Sequence, residues 1–293
     1  MGLSSSLVGM RFKDMVSEVT WRWAMNYAAS IEDNNPFYFD DEREDSIIAP
    51  PMLAVAVTFP VIERIWEFVE GTDFPIEILP TMVHYTEHLQ FLRPIKPDEV
   101  LYVKGKVAAI IPHRAGTQVV IRFDATDKSG EEVFCEHIGA MMRGIQCDDQ
   151  GGGAEALPRV PEPQKVEGQV WESRVKIDPL RSFIYDGCSR IFFPIHTSRS
   201  FARQVGLPGI ILQGTATLAY AAREITNLEA GGDPRRLKTL SCRFSGMVLP
   251  GTEIIVRLMG RQLHEKEAHL HFAVFNGDGQ IAVNKGYALI DMS

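Results

Sequence analysis

The sequence predicts an α+β protein made of two similar halves, each a long helix set against antiparallel strands. Three observations lead there. A strand-turn-strand segment occurs twice, an apolar helical stretch precedes each copy, and a Gly-rich then Pro-rich segment separates them.

The repeat is the primary signal. His88-Leu89-Gln90-Phe91-Leu92-Arg93-Pro94-Ile95-Lys96-Pro97-Asp98-Glu99-Val100 parallels Arg243-Phe244-Ser245-Gly246-Met247-Val248-Leu249-Pro250-Gly251-Thr252-Glu253-Ile254. Phe91 and Phe244, like Pro97 and Pro250, are 153 residues apart (244 − 91 and 250 − 97). Each copy reads as a strand, a proline-containing turn and a second strand rich in β-branched residues. Each then reaches a hairpin, Asp127-Lys128-Ser129-Gly130 in the first half and Asn276-Gly277-Asp278-Gly279 in the second. Glycine there supplies the positive φ that tight hairpins need. Upstream, Asp33-Asn34-Asn35-Pro36-Phe37-Tyr38 parallels Ile191-Phe192-Phe193-Pro194-Ile195-His196 at an offset of 158 (194 − 36). The drift from 158 to 153 is what loop insertions and deletions produce.

The first helix is expected over Pro51 through Glu70, with Met52, Val55, Phe59, Ile62 and Trp66 at helical spacing. The second is expected to start near Gly214, with Leu218, Ala221 and Ile225 on one face. Its Gly, Ala and Thr content suits a helix gripped closely by a curved sheet. Between the halves, Gly151-Gly152-Gly153 and then Pro158, Pro161 and Pro163 read as a flexible-to-extended linker. The expected division is therefore a first half over 1–147, a linker over 148–167 and a second half over 168–293.

Composition bounds the function. With 45% hydrophobic and 23% charged residues in 293, the chain has the make-up of a soluble globular protein able to bury one large core or two ordinary ones. A net charge of −8 argues against nucleic acid or an anionic membrane as the main partner. No apolar run approaches the length of a transmembrane helix. The N-terminus shows no basic region followed by an apolar segment, so a cytoplasmic protein is expected, although Met1-Gly2 with Ser6 meets the loose myristoylation pattern. Cys135, Cys147, Cys188 and Cys242 are scattered and read as reduced thiols. No Gly-x-Gly-x-x-Gly or P-loop pattern occurs, and no cofactor is expected. His84, Glu87 and His88 enter a strand, which should put the histidines on one face and Glu87 on the other, a poor metal site.

The segment with most chemistry is Ser189-Arg190-Ile191-Phe192-Phe193-Pro194-Ile195-His196, followed by Phe201-Ala202 and the Gly-rich turn Gly206 through Gly214. It resembles the signature of the MaoC-like dehydratases, the family of (R)-specific enoyl-CoA hydratases, in which Ser-Gly-Asp-x-Asn-Pro-x-His precedes a Gly-rich turn that opens a long helix. The Ser, Pro, His and turn are kept. Ile191 stands in place of the Asp and Phe193 in place of the Asn.

The resemblance implies a double hot-dog fold, two long helices each wrapped by an antiparallel sheet, the sheets joined edge to edge. It implies an acyl-thioester substrate, a CoA ester or acyl-carrier thioester, and a possible homodimer. It also implies reversible hydration of an α,β-unsaturated thioester, with His196 as the proton-transfer residue and Gly214 as an oxyanion donor. A helix N-terminus suits that last task because its first N–H groups are unpaired and its dipole favours negative charge. Around them, Tyr185, Ser189, Ile191, Phe193 and Gln213 are expected to line the substrate site, and Pro51 an apolar cavity for the acyl group. Asp33, Tyr38 and Asp186 are second-tier candidates: Asp33 and Tyr38 because the first half keeps the Asp and Asn but has Tyr for His, Asp186 as a loop carboxylate near the motif. Two alternatives stay open, a non-catalytic acyl-thioester-binding protein and a thioesterase using Asp33 as base.

Overall fold

The computed structural model describes residues 2–69, 74–162 and 170–293. In the first half, strand β1 (Met15–Val19) leads into helix α1 (Trp21–Ser30) and the short α2 (Pro36–Phe39). The central helix α3 (Leu53–Glu63) follows, with one further turn, α4 (Ile65–Phe68). Strands β2 (Met82–Phe91), β3 (Glu99–His113), β4 (Gly116–Thr126) and β5 (Glu132–Arg143) complete it. The second half repeats the order with β6 (Glu172–Lys176), α5 (Arg181–Ser189), α6 (Arg199–Gln204) and the central α7 (Gly214–Glu229). It ends in β7 (Leu237–Phe244), β8 (Glu253–Leu263), β9 (Glu267–Phe275) and β10 (Ile281–Asp291).

These ten strands form one antiparallel sheet in the order β1-β3-β4-β5-β2-β7-β10-β9-β8-β6, so the second five mirror the first five. The halves meet where β2 pairs with β7, and His88 lies opposite Ser241. Those two residues are themselves 153 apart (241 − 88), the offset of the sequence repeat. A pseudo-twofold axis therefore crosses the ladder at that pair, as in an isologous dimer interface. This is the double hot-dog arrangement. The hairpin glycines Gly130 and Gly279 have φ of 87° and 74°.

Each central helix packs into the concave face of its half of the sheet. In α7 the run Thr215 through Ala222 is buried, small residues allowing close approach to the strands. In α3 every residue from Leu53 through Thr58 is buried. A fully buried Leu or Val contributes about 1.5–3 kcal/mol, so these helices are anchored by packing rather than by propensity. They differ in length. The helix expected over 51–70 runs only from Leu53 to Glu63, with Pro60 inside it, and ends where Arg64 leaves the helical region at φ −124°, ψ 43°. Residues 70–73 lie outside the described residues.

At the axis, Tyr27 of α1 and Tyr185 of α5, again 158 apart (185 − 27), join hydroxyl to hydroxyl at 2.9 Å. Arg181 donates to the Ser30 carbonyl at 2.7 Å and pairs with Glu32, tying α5 to the end of α1. The Gly-rich stretch expected to be flexible is instead docked on β3: Gly152 and Ile110 exchange both backbone hydrogen bonds, at 2.9 and 3.0 Å. Gly151 and Gly153 take φ of +69° and +80°, and a Cβ on either would sit 2.2 Å from a β3 carbonyl oxygen. Residues 163–167 of the expected linker lie outside the described residues.

Candidate functional site

The motif of the second half folds as the end of α5, a 3₁₀ turn over Pro194–His196, and α6. Proline at the first position presets the turn, and Ser198 caps α6 by accepting from the Phe201 N–H at 3.2 Å. The α5 helix stops at Arg190, which adopts φ 64°. The chain there turns inward at Ile191, only 2% exposed and part of the core. Ser189 is buried, and its hydroxyl accepts from the Ile191 N–H at 3.2 Å.

His196 lies at the close of the 3₁₀ turn with Nδ1 2.9 Å from the Ile211 carbonyl oxygen. A carbonyl can only accept, so Nδ1 carries the proton and Nε2 presents its lone pair. Burial lowers the pKa of the imidazole to about 4, against a smaller upward pull from the Ile211 carbonyl. It is therefore neutral near pH 7 and competent as a base. Two residues beyond Ile211, Gln213 is buried and its Nε2 donates to the Ser182 carbonyl at 3.0 Å.

Gly214 is the first residue of α7, and the helical bonding begins with Thr217 N–H to the Gln213 carbonyl. The earlier N–H groups of that turn have no acceptor within the helix. The ring of Phe244 approaches to 3.2 Å of where a Cβ on residue 214 would lie, so glycine is also what the packing demands. Phe193 is half exposed, its ring centre 6.5 Å from that of His196. Asp186 sits on α5 rather than on a loop, and its pKa is raised by burial and by the charge of Glu63. Tyr185, Ser189, Ile191, Gln213, Gly214 and His196 are thus gathered by α5, the 3₁₀ turn and the head of α7.

Asp33, Tyr38 and Pro51 gather elsewhere. Asn35 caps α2 by accepting from the Phe37 N–H at 3.0 Å, and its Nδ2 donates to the Gly232 carbonyl at 2.7 Å. Asp33 is buried, and burial raises its pKa to about 6 despite the Asn35 N–H and the nearby Arg223. Tyr38 is buried, and burial followed by the Asp33 charge raises its phenol pKa well above 10. Both line a shallow recess, with room for about one water, together with Pro51, Ala219, Ala222 and Arg223. Pro51 lines a second recess as well, beside Phe91, Arg93 and Lys238. The cavity expected to be apolar is therefore polar at one wall.

Strand parity also misleads at β2. A bulge at Tyr85 inserts a residue between the His84 and Thr86 pairings with β5, which brings His84 and Glu87 to one face. His84 Nε2 is 3.2 Å from the Glu87 carboxylate, and the His84 ring packs on Phe244 at 4.5 Å. Glu87 lies near the buried Glu136 of β5, and burial raises the pKa of both carboxyls. Sequence reasoning did not single out Tyr27, Phe244, Arg223 or Glu136 for the site. Only the Tyr27–Tyr185 pair had a signal, the offset of 158. No group of three or more His, Cys, Asp or Glu side chains is placed to hold a metal among the described residues. No helix among them is long and apolar enough to cross a membrane.

Residues 163–274 match the family described as MaoC like domain, and residues 6–136 match the FAS1-like dehydratase domain region. The chain is 24% identical over 220 residues to the enzyme named enoyl-CoA hydratase 2, peroxisomal, of Arabidopsis thaliana, covering 71% of this chain and 70% of that one. It is 34% identical over 139 residues, 39% of its length, to the fatty acid synthase subunit beta of Aspergillus oryzae, of which it spans only 7%. A MaoC-like dehydratase from Phytophthora capsici has the same fold, with a TM-score of 0.83, 22% identity and 98% of each chain covered. The retained Pro-x-His turn and the glycine at the head of α7 thus lie within the MaoC-like dehydratase domain matched over residues 163–274, in a chain with the double hot-dog fold.

Proposed function

We propose that the protein is an enoyl-thioester hydratase, adding water reversibly across the α,β-double bond of a CoA ester, with its chemistry in the second half, over 168–293. The observation that carries this reading is His196: its tautomer is fixed by the Ile211 carbonyl, three residues before the unpaired N–H groups that open α7. Nε2 takes a proton from water as the water oxygen bonds to Cβ. The π electrons shift toward the thioester oxygen, which the Gly214 N–H and its neighbours stabilise as enolate charge develops. The same proton returns from Nε2 to Cα, restoring neutral imidazole. Gln213 orients this turn through Ser182, and Tyr185 backs it through Tyr27. The first half, over 1–147, completes the fold and carries no equivalent oxyanion turn.

One observation favours a second reading. Ile191 fills, as part of the core, the place where the family motif has a carboxylate. A chain that binds acyl thioesters without turning them over would tolerate that replacement. Loss of crotonyl-CoA absorbance with the full chain decides between the two. Turnover abolished by His196→Ala supports the hydratase, whereas saturable binding with no turnover on short, long and branched enoyl-CoAs supports the binder.

A further inference from the structure

Beside Gly214, the head of α7 carries a buried acceptor that accepts from nothing in the fold. Gln213 is 1% exposed, and its side chain does not cap the helix. Its backbone carbonyl is taken by the N–H and the hydroxyl of Thr217, at 3.1 and 3.2 Å. Its side-chain amide donates through Nε2 to the Ser182 carbonyl at 3.0 Å. A carbonyl only accepts, so that contact fixes which end of the amide is nitrogen. Oε1 therefore turns away from Ser182, and it has no hydrogen-bond partner among the described residues. A buried acceptor left unpaired costs about 1–3 kcal/mol, and such groups persist where a ligand completes them.

Ser182 ties this amide to His196. Fully buried on α5, it gives its hydroxyl to the Ile211 carbonyl at 3.2 Å while its own carbonyl holds Gln213. The same Ile211 oxygen takes Nδ1 of His196 at 2.9 Å. One serine thus anchors two side chains, the amide directly and the imidazole by way of Ile211. Each has one acceptor turned away from its anchor, Oε1 on Gln213 and Nε2 on His196.

The place of Oε1 limits what it can accept. In the hydratase reading Gly214, the next residue, holds the thioester oxygen, so the nearest reacting atoms are Cα and Cβ. An enoyl thioester carries no N–H or O–H on those carbons. The donor at that point is water before the reaction and the 3-hydroxyl after it, the same oxygen in both. A water that attacks Cβ is best oriented when both of its hydrogens are accepted, which leaves a lone pair facing the carbon. Ile191, 2% exposed in the core, offers no acceptor for the second hydrogen.

We propose that Gln213 Oε1 and His196 Nε2 hold one water between them, and that this is the water added to Cβ. Its identity as the reactant rests on the hydratase reading. One hydrogen passes to Nε2 as the water oxygen bonds to Cβ, and goes on to Cα. The other stays on the oxygen and becomes the 3-hydroxyl proton, bonded to Oε1 throughout. The amide gains and loses no proton, so it orients the water without acting as acid or base.

Two measurements test this. A crystal structure of the wild-type chain that resolves water should show one molecule within about 3.2 Å of both atoms. A protein donor on Oε1, or no water shared by the two atoms, overturns the site. Gln213→Met keeps the length of the side chain and removes both polar atoms. With crotonyl-CoA it should lower kcat about tenfold, the worth of one hydrogen bond, with KM within about threefold of wild type and the acid limb of the pH profile unmoved. A residue that only anchors the turn behaves differently, because releasing Ser182 displaces Ile211 and with it the imidazole, so that KM rises and the acid limb shifts. That result, or an unchanged kcat, removes Gln213 from the reacting water. If Gln213→Met does not fold, the crystal structure still decides the site. A wild type that holds the water yet hydrates no enoyl-CoA fails the hydratase reading and leaves the water site standing.

Discussion

Replacing His196 with alanine separates chemistry from structure, because the two contributions of this side chain differ greatly in size. Structurally the imidazole makes one recorded hydrogen bond, to the Ile211 carbonyl. That oxygen also accepts from the Ser182 hydroxyl at 3.2 Å, so it is not orphaned by the substitution. The stability cost should be about 0.5–1.5 kcal/mol. Catalytically, a general acid–base group is worth about 10²–10⁴-fold, or about 3–5 kcal/mol of barrier at 1.36 kcal/mol per decade. His196→Ala should therefore lose at least a hundredfold in kcat/KM for crotonyl-CoA hydration while keeping a cooperative melt. The pH profile supplies an independent check. The folded pKa is lowered to about 4, so the neutral, active form persists as pH falls and is lost only near that value. The acid limb of kcat/KM should lie well below 6.5. Activity of His196→Ala within threefold of wild type, or an acid limb at 6.5, refutes the assignment.

Three further outcomes follow from the geometry. Ile191→Asp should lower the melting temperature, since it removes a buried side chain worth about 1.5–3 kcal/mol, yet raise hydratase activity by restoring the motif's carboxylate beside the imidazole; a less stable protein with no gain on any enoyl-CoA would instead favour the binding reading. Gly214→Ala brings a Cβ to 3.2 Å from the Phe244 ring, so calorimetry should show only a small change in stability while kcat/KM falls tenfold or more; a large loss of stability with activity retained would assign the glycine to packing alone. Glu87 and Glu136 are buried carboxyls whose pKa values are raised well above 4.5 by burial, so the folded state holds protons that the unfolded chain releases. Stability should fall as pH climbs from about 4.5, and Glu136→Gln should melt higher than wild type at pH 8 but not at pH 4.5; a wild-type melting temperature that is flat over this range would contradict the burial argument.

Much of the architecture was legible because repetition reports topology directly. Phe91 with Phe244 and Pro97 with Pro250 set an offset that returns as the His88–Ser241 pairing at the centre of the sheet. The glycines at 130, 214 and 279 were legible for a local reason: two are hairpin positions and one opens a helix against an aromatic ring. Where the reading failed, a single residue changed the local geometry. The backbone break at Arg64 ended a helix whose apolar spacing continued past it, and the bulge at Tyr85 reversed the parity that put Glu87 opposite His84. The triglycine looked like a linker because composition cannot reveal a strand edge waiting to pair with it. The site was half legible. Gly214 opens α7 and His196 closes a 3₁₀ turn, but the Phe244 ring against Gly214 comes from a strand 30 residues later (244 − 214), which local pattern cannot connect.

The unequal loss of motif residues cannot be repaired by motion between the halves. Asp33 survives in the first half and His196 in the second, so a dyad could be imagined by bringing the two loops together. The axis that relates them also separates them. Tyr27 and Tyr185 meet at that axis, Arg181 binds the end of α1, and β2 and β7 join through five residue pairs of one continuous sheet. These contacts hold each loop against the central helix of the other half, Asp33 beside the Arg223 side of α7 and Asp186 near Glu63 of α3. Sliding one loop toward the other would break paired backbone groups within a packed core, where each buried unsatisfied group costs about 1–3 kcal/mol. The hydratase reading proposed above therefore rests on the neutral imidazole of His196 without a carboxylate from the other loop.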